Sequence, residues 1–301
     1  MILLYHLIFP DETPASSWNA GNIIRLSAFQ KQLCWLKQHS SFISLEEYVT
    51  LYRINPKSTR NKLALTFDDG YAQTYALIAP FLRNESIPAA FFANTVNLDE
   101  GLLWFVYFNA LCSEGAYPAV EINHAPYPLD TKRNSLHAWR TLIHLARSSS
   151  DARIFAREFA DKYPLPREIQ EKYAGLRSEQ ISEIGSSKLF SLGGHTHSHP
   201  YLDQLNQEEQ LAEMKWNKQI LEQISGTPVT YFAYPGGIYN QASMSAARQA
   251  GFSAAFAVFP QAISSDPLFE LPRSGIYSPT LWKLQLKLLG LADALQRGRE
   301  R

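Results

Sequence analysis

Two short stretches of this chain hold residues that could do chemistry together. LTFDDG (65–70) places adjacent carboxylates, Asp68 and Asp69, behind an apolar run. Side by side at a strand end they repel one another, which costs stability unless a cation neutralises them or one keeps its proton. Asp-Asp-Gly is also ordinary turn chemistry, and on these residues alone the two readings stand level. GGHTHSHP (193–200) carries three histidines at alternate positions, His195, His197 and His199. On a helix His195 and His199, at i and i+4, can meet one metal ion; on an extended chain all three would face one side. Three imidazoles so close together, beside Gly-Gly and Pro, are hard to explain as packing. Two imidazoles and one carboxylate make a ligand set for catalytic zinc, with a position left for water. The other carboxylate of the pair is then free to act as a base.

Both stretches follow apolar runs that read as strands, and such runs recur along the chain. They are MILLYHLI at the start, KLALTF (62–67), IPAAFFAN (87–94), KLFSLGG (188–194), VTYFAY (229–234), SAAFAV (253–258) and the weaker FELPRSGI (269–276). Helical patterns lie between several of them. Leu26, Phe29, Leu33 and Leu36 fall at helical spacing over 26–38. Residues 207–225 begin behind Asn206, with Glu209 placed for a capping box, and stop at Gly226; 241–250 lie between Asn240 and Gly251. Strands alternating with helices predict an α/β fold with parallel strands, and seven of them suit a barrel whose chemistry sits at the carboxyl ends. Residues 98–185 break the rhythm. They are too long for a crossover and carry helical patterns in LLWFVYFNAL and DARIFAREFADKY, so a mainly helical insertion is expected there within a single domain spanning 1–301. The ten apolar residues of LLWFVYFNAL fit a buried helix or a cleft lining, being too few to span a bilayer.

Lys and Arg number 28 and Asp and Glu 28, so the net charge is zero and no electrostatic footprint for nucleic acid appears. Cys34 and Cys112 have no metal or redox spacing and read as two buried thiols. The opening MILLYHLIFP lacks the basic start of a secretory signal, its first basic residue being Arg25, and the run ends at Pro10-Asp11-Glu12. A cytoplasmic protein is therefore expected, at most peripheral to a membrane, with no transmembrane segment. MILLYHLIFP reads as a buried strand, which leaves the histidine inside it, His6, unexplained.

The motifs resemble those of the polysaccharide deacetylases, the NodB-homology carbohydrate esterases. TFDDG (66–70) is similar to their first motif, HTHSH (195–199) to their second, and FAYPGGIYN (232–240) to the third as it appears in one branch. The resemblance covers about 62–97 and 186–277. It implies that Asp69, His195 and His199 bind a divalent metal, zinc first with nickel, cobalt or manganese as alternatives, and that Asp68 is the general base. His197 falls on a variable position of the motif. Many members carry an arginine in the third motif that orients the base; here that place is Ala233, and Arg273 of LPRSG is the candidate replacement. The position after the motif's proline is Gly236, whose N–H could help hold an oxyanion. Trp104, Tyr234 and Tyr239 could stack on a sugar or fill the core, and Tyr234 is taken with Gly236 as a substrate-side residue.

The family pattern also has a late histidine that protonates the leaving amine, and this chain has none after His199. In the branch that includes the biofilm poly-N-acetylglucosamine deacetylases, a Tyr-His near the start of a circularly permuted barrel takes its place. Tyr5-His6 is similar, which makes His6 the candidate general acid. The resemblance thus implies a distorted, circularly permuted (β/α)7 barrel of NodB type and a metal-dependent hydrolase removing N-acetyl groups from an N-acetylated carbohydrate. Two alternatives stand beside it: hydrolysis of another non-peptide C–N bond, and a carbohydrate-binding protein with weak catalysis.

Overall fold

The computed structural model describes residues 1–13, 23–99, 101–263 and 266–288. The opening run forms two strands, β1 (Ile2–Tyr5) and β2 (Leu7–Phe9), where the sequence suggested one. Next come β3 (Ile23–Arg25), α1 (Leu26–His39), β4 (Ser41–Phe42), α2 (Leu45–Ile54), β5 (Lys62–Phe67), α3 (Ala72–Asn84) and β6 (Ala89–Ala93). The long stretch after β6 holds α4 (Trp104–Ser113), β7 (Ala119–Ile122), β8 (Ala125–Pro128), α5 (Lys132–Ser148), α6 (Ala152–Lys162), α7 (Arg167–Tyr173) and α8 (Ser178–Ser186). The chain continues with β9 (Phe190–Gly194), α9 (Gln207–Ser225), β10 (Tyr231–Ala233), α10 (Gln241–Gln249), β11 (Ala254–Ala257), β12 (Leu271–Gly275) and α11 (Leu281–Leu288).

Strands β1, β5, β6, β9, β10, β11 and β12 pair in that order, all parallel, and β12 returns to β1 with Arg273 opposite Ile2. The sheet is thus a closed ring of the permuted kind expected, sealed by a strand from the start of the chain. It is distorted, because the β9–β10 seam is the single pair Phe232–Gly194 and the β11–β12 seam holds two pairs. Period-2 alternation sorts the side chains. Leu63, Leu65 and Phe67 of β5 face the outer core with Phe29, Tyr75 and Ile78 of the helices, whereas Ala64 faces the interior with Ala90, Phe92, Ala233, Ala254, Phe256 and Leu271. So narrow a barrel leaves room for few large groups. A Cβ on Gly193 would come within 2.3 Å of the Phe92 ring, so only glycine lets that phenylalanine fill the interior. Ile43, Leu45, Tyr48 and Val49 join the same cluster from the segment around α2.

Local signals fix the helices around the ring. Asn206 accepts from the N–H groups of Glu208 and Glu209, Glu209 returns a carboxylate to the Asn206 N–H, and α9 ends on Gly226 at φ +69°. The left-handed stop costs glycine nothing sterically. At His6 the chain leaves the barrel, because β2 pairs in parallel with β3 rather than continuing beside β5. Leu7 and Phe9 then pack with Leu103, Tyr107, Phe108, Leu142 and Tyr173 in a second apolar cluster, while Leu176, Ile181 and Ile184 belong to the cluster around the barrel. Helix α4 is buried in that second cluster, and no helix among the described residues is long and apolar enough to cross a membrane.

Candidate active site

Asp68 and Asp69 follow the last residue of β5, and His195 follows the last residue of β9. Both therefore emerge at carboxyl ends of barrel strands, where the parity that turns Ala64 inward also turns Asp68 inward. Arg273 lies within β12 and points the same way. Its Nη1 and Nη2 donate to Oδ1 and Oδ2 of Asp68, each at 2.6 Å, with the two side chains 0% and 4% exposed. The guanidinium also lies over the Phe92 ring, 5.2 Å from its centroid. Burial pushes the Asp68 carboxyl up, but Arg273 and His195 together more than reverse this and hold it below the usual carboxylate range. Asp69 is likewise depressed against its burial, by His195, His6 and His199. Its backbone sits in the left-handed region at φ +67°, so a non-glycine residue is held strained where it meets the histidines.

His195 is oriented from both sides. Its N–H donates to Oδ1 of Asn217 at 3.1 Å, and its Nδ1 lies 2.8 Å from the carbonyl of Ala233. A carbonyl only accepts, so Nδ1 carries a proton, and Nε2 is the atom that a neutral His195 would offer to a metal. That atom is 3.4 Å from Oδ1 of Asp69, and Nε2 of His199 is 3.6 Å from the same oxygen. His199 has φ +56° and is held by its neighbours: its N–H donates to Thr196 Oγ1, the Trp104 indole donates to its carbonyl at 2.9 Å, and the Phe105 ring lies 4.5 Å from the imidazole. Burial lowers the His199 imidazole to about 4, so it is neutral at pH 7, as a metal ligand must be. Burial also lowers His195, but the two carboxylates reverse this and leave it raised. His197 turns elsewhere, bonded to Thr95 Oγ1 and stacked on Trp216 at 4.1 Å.

Asp69, His195 and His199 form a site for a divalent metal. Their ligand atoms lie within 4.8 Å of one another, and among the described residues no other trio of such groups does this. Metal bonds of about 2.0–2.1 Å in tetrahedral array place ligand atoms roughly 3.3 Å apart, close to the spacings seen. The arrangement is that of ligands sharing one cation, with Asp68 beside it and engaged by Arg273.

The remaining expected residues are less uniform in position. His6 follows β1, the strand between β5 and β12; its Nδ1 is buried with no hydrogen-bond partner among the described residues, and its charged form would help depress both carboxylates. Gly236 is exposed in a short turn at φ +59°, where the following N–H groups of Gly237 and Ile238 are taken by Tyr234 and Pro235 carbonyls. Tyr234 stands apart from the cluster. It is 1% exposed, its hydroxyl donates to the Phe269 carbonyl at 3.0 Å, and its ring stacks on Tyr239 at 4.5 Å. The reason is strand parity: Ala233 faces the barrel interior, so the next side chain faces the outer core. Tyr239 is buried there too, donating to Glu270 at 2.6 Å, and Trp104 serves His199 as described. The sequence reading missed Asn217 and the Ala233 carbonyl. A polar residue within an apolar helix face could have signalled Asn217; no local pattern marks the carbonyl.

Residues 55–255 match the family model described as polysaccharide deacetylase. A curated relative, the putative polysaccharide deacetylase YxkH of Bacillus subtilis (strain 168), is 30% identical over 91 residues, 30% of this chain and 32% of that protein. The chain thus matches about a third of that relative's length. Among solved structures, the deacetylase PplD of Streptococcus pyogenes in complex with acetate superposes with a TM-score of 0.58 at 20% identity, covering 94% of this chain and 96% of its own. IcaB from Ammonifex degensii gives 0.58 at 17% identity, with 97% and 95% covered. At these identities the likeness is one of fold.

Proposed function

The chain belongs to the polysaccharide deacetylase family, and from that premise we propose that it hydrolyses the N-acetyl group of an N-acetylated sugar or polysaccharide. The observation that carries this reading is the division of the carboxylate pair: Asp69 faces two imidazoles while Asp68 is clamped by Arg273. Asp69, His195 and His199 would hold the ion, and their nitrogen and oxygen donors favour zinc, with nickel, cobalt or manganese as alternatives. When bound, such an ion supplies Lewis acidity toward the acetyl carbonyl and acidifies water.

The chain's own residues do the rest. Asp68, not needed as a ligand, accepts the proton of the attacking water. Arg273 keeps it ionised and aimed, which meets the want left by alanine at position 233 and favours an enzyme over a binding protein. The N–H of Gly236 steadies the developing oxyanion. Tyr234 holds the turn that presents it, its N–H bonded to Phe256 and its carbonyl to Gly237. His6 gives a proton to the departing sugar amine, so base and acid duties fall to one carboxylate and one imidazole.

Further detail belongs to the same proposal. FAYP at 232–235 and Tyr5-His6 at the closing strand favour the branch of biofilm poly-N-acetylglucosamine deacetylases. We take 1–301 as one catalytic domain with an insertion at about 98–185. Free thiols at Cys34 and Cys112 suit a reducing, cytoplasmic setting at most peripheral to a membrane. The test is acetate release by metal-loaded protein from N-acetylated glycans, nucleotide sugars and lipid-linked sugars, with Asp68→Asn as control. Turnover should fall about 10²–10⁴-fold in that variant while metal stays bound. No acetate from any member of the panel would end the reading.

A further inference from the structure

One aromatic side chain over the site has no part in the chemistry above. In β12 the residues alternate, Leu271 and Arg273 facing the barrel interior, and the same parity turns position 275 inward. That position is glycine. The space its side chain would take is filled by Tyr277: a Cβ on Gly275 would lie 2.4 Å from both Cζ and the hydroxyl oxygen of the tyrosine. The ring therefore folds back over the mouth of the barrel, above Arg273, instead of following the chain outward.

Its neighbours locate it further. The ring centroid lies 6.0 Å from that of His6, tilted by 36°. The phenol lies within electrostatic range of Asp68, Arg273 and Asp69. Yet Tyr277 is 42% exposed, and among the described residues its hydroxyl has no hydrogen-bond partner. Lys287 donates to the Gly275 carbonyl and lies 5.6 Å from the Tyr277 ring centroid, tying α11 to this corner. A polar group directed at a reaction centre, paired with nothing among the described residues and open to solvent, is placed to meet a ligand. An aromatic face and a hydroxyl together suit a sugar ring, apolar on its C–H face and rich in oxygen at its edge.

We propose that Tyr277 is a substrate-positioning residue, its ring lying along the sugar unit that carries the scissile amide and its hydroxyl donating to an oxygen of that unit. The inference rests on the deacetylase reading and adds the wall that receives the sugar. His6 and Tyr277 then line the β1–β12 side of the mouth, facing the His195–His199 side where Phe105 and Trp104 hold His199. The nitrogen left behind by the acetyl group comes away on the side of His6.

The experiment compares Tyr277→Phe and Tyr277→Ala with the unaltered chain, using an N-acetylated chito-oligosaccharide as probe. Tyr277→Phe keeps the ring and loses one hydrogen bond, and a net bond of this kind is worth about a three- to tenfold rise in KM. Tyr277→Ala loses the ring face as well, and its KM should rise further. In both, kcat should stay within about twofold and metal content should not change, which a merely structural tyrosine would not deliver. Calorimetric affinity for the same oligosaccharide, measured in the Asp68→Asn background, should fall in step and does not depend on turnover. If the unaltered chain releases no acetate, the functional reading fails, while the binding comparison still judges Tyr277. Equal affinity with and without Tyr277, absence of binding in both included, overturns the proposal, as does a Tyr277→Phe loss confined to kcat.

Discussion

Replacing Arg273 by methionine would keep most of the apolar stem against Phe92 and remove only the guanidinium. The consequence follows from burial. With side chains 0% and 4% exposed and two contacts of 2.6 Å, Arg273 and Asp68 form a pair that solvent screens little. Removing one partner of such a pair costs about 3–5 kcal/mol near neutral pH, because the carboxyl left behind must either stay charged and unpaired or take up a proton. The cost should depend on pH, with a sign that can be worked out. In the unaltered chain Asp68 is held below its ordinary value, so it adds stability that is present above about pH 3.9 and lost as pH falls through the lower folded value. Without Arg273 the largest single influence left is burial, which raises the pKa against the smaller opposing effects of His195 and His6. Above about pH 3.9 the unfolded chain then gives up a proton that the folded chain retains, and stability declines as pH rises. The gap between the two proteins should therefore be small at acid pH and widest near pH 7. Urea unfolding of chelator-treated protein at several pH values reads this directly, free of any contribution from a bound ion. A gap that stays constant with pH, or below about 1 kcal/mol at pH 7, would refute the reasoning. In metal-loaded protein the same variant should lose kcat more than it gains KM, because Asp68 would no longer be ionised and aimed.

Other consequences are quicker to check. His195→Ala and His199→Ala should lose the divalent ion and activity together; full occupancy by metal analysis in either would displace that residue from the ligand set. His6→Ala should keep metal and fold but slow amide hydrolysis, by about 10²–10⁴-fold, and much less for an aryl ester whose leaving group needs no proton. Equal losses on amide and ester would remove His6 as the acid. The Cys112 thiol is buried and pushed up to about 12, whereas Cys34, expected from the sequence to be buried, lies exposed on α1, so iodoacetamide at pH 8 should label one thiol per native chain. Mass spectrometry placing label on Cys112 in folded protein would contradict its burial.

What the sequence disclosed about this site depended on how its parts are distributed along the chain. Asp68 with Asp69, and His195 with His199, are close in sequence because each pair occupies the loop at the end of one strand, so residue types and spacing brought them forward as candidates and the resemblance decided between turn and site. The same locality made the caps at Asn206 and Gly226 readable, since a cap involves residues two or three positions apart. Arg273 could be reached only through a resemblance, because its partner lies 205 residues earlier and the two meet across the β1 strand between them. Tyr234 shows the limit of motif neighbourhood: it adjoins the residue whose carbonyl fixes His195, yet alternation along β10 sends its side chain to the opposite face. The break at His6 was hidden for a different reason. Apolar residues stand on both sides of it, and the change from barrel strand to β2 is set by pairing with β3, which composition does not encode. Tyr277 was least legible of all, since its position depends on an absence: Gly275 has no side chain, and the space above Arg273 is open to whichever later residue can fold back into it. The metal-site residues were thus legible because they are local, while Arg273 and Tyr277 come from the far end of the chain and reach the site only when β12 closes the ring against β1.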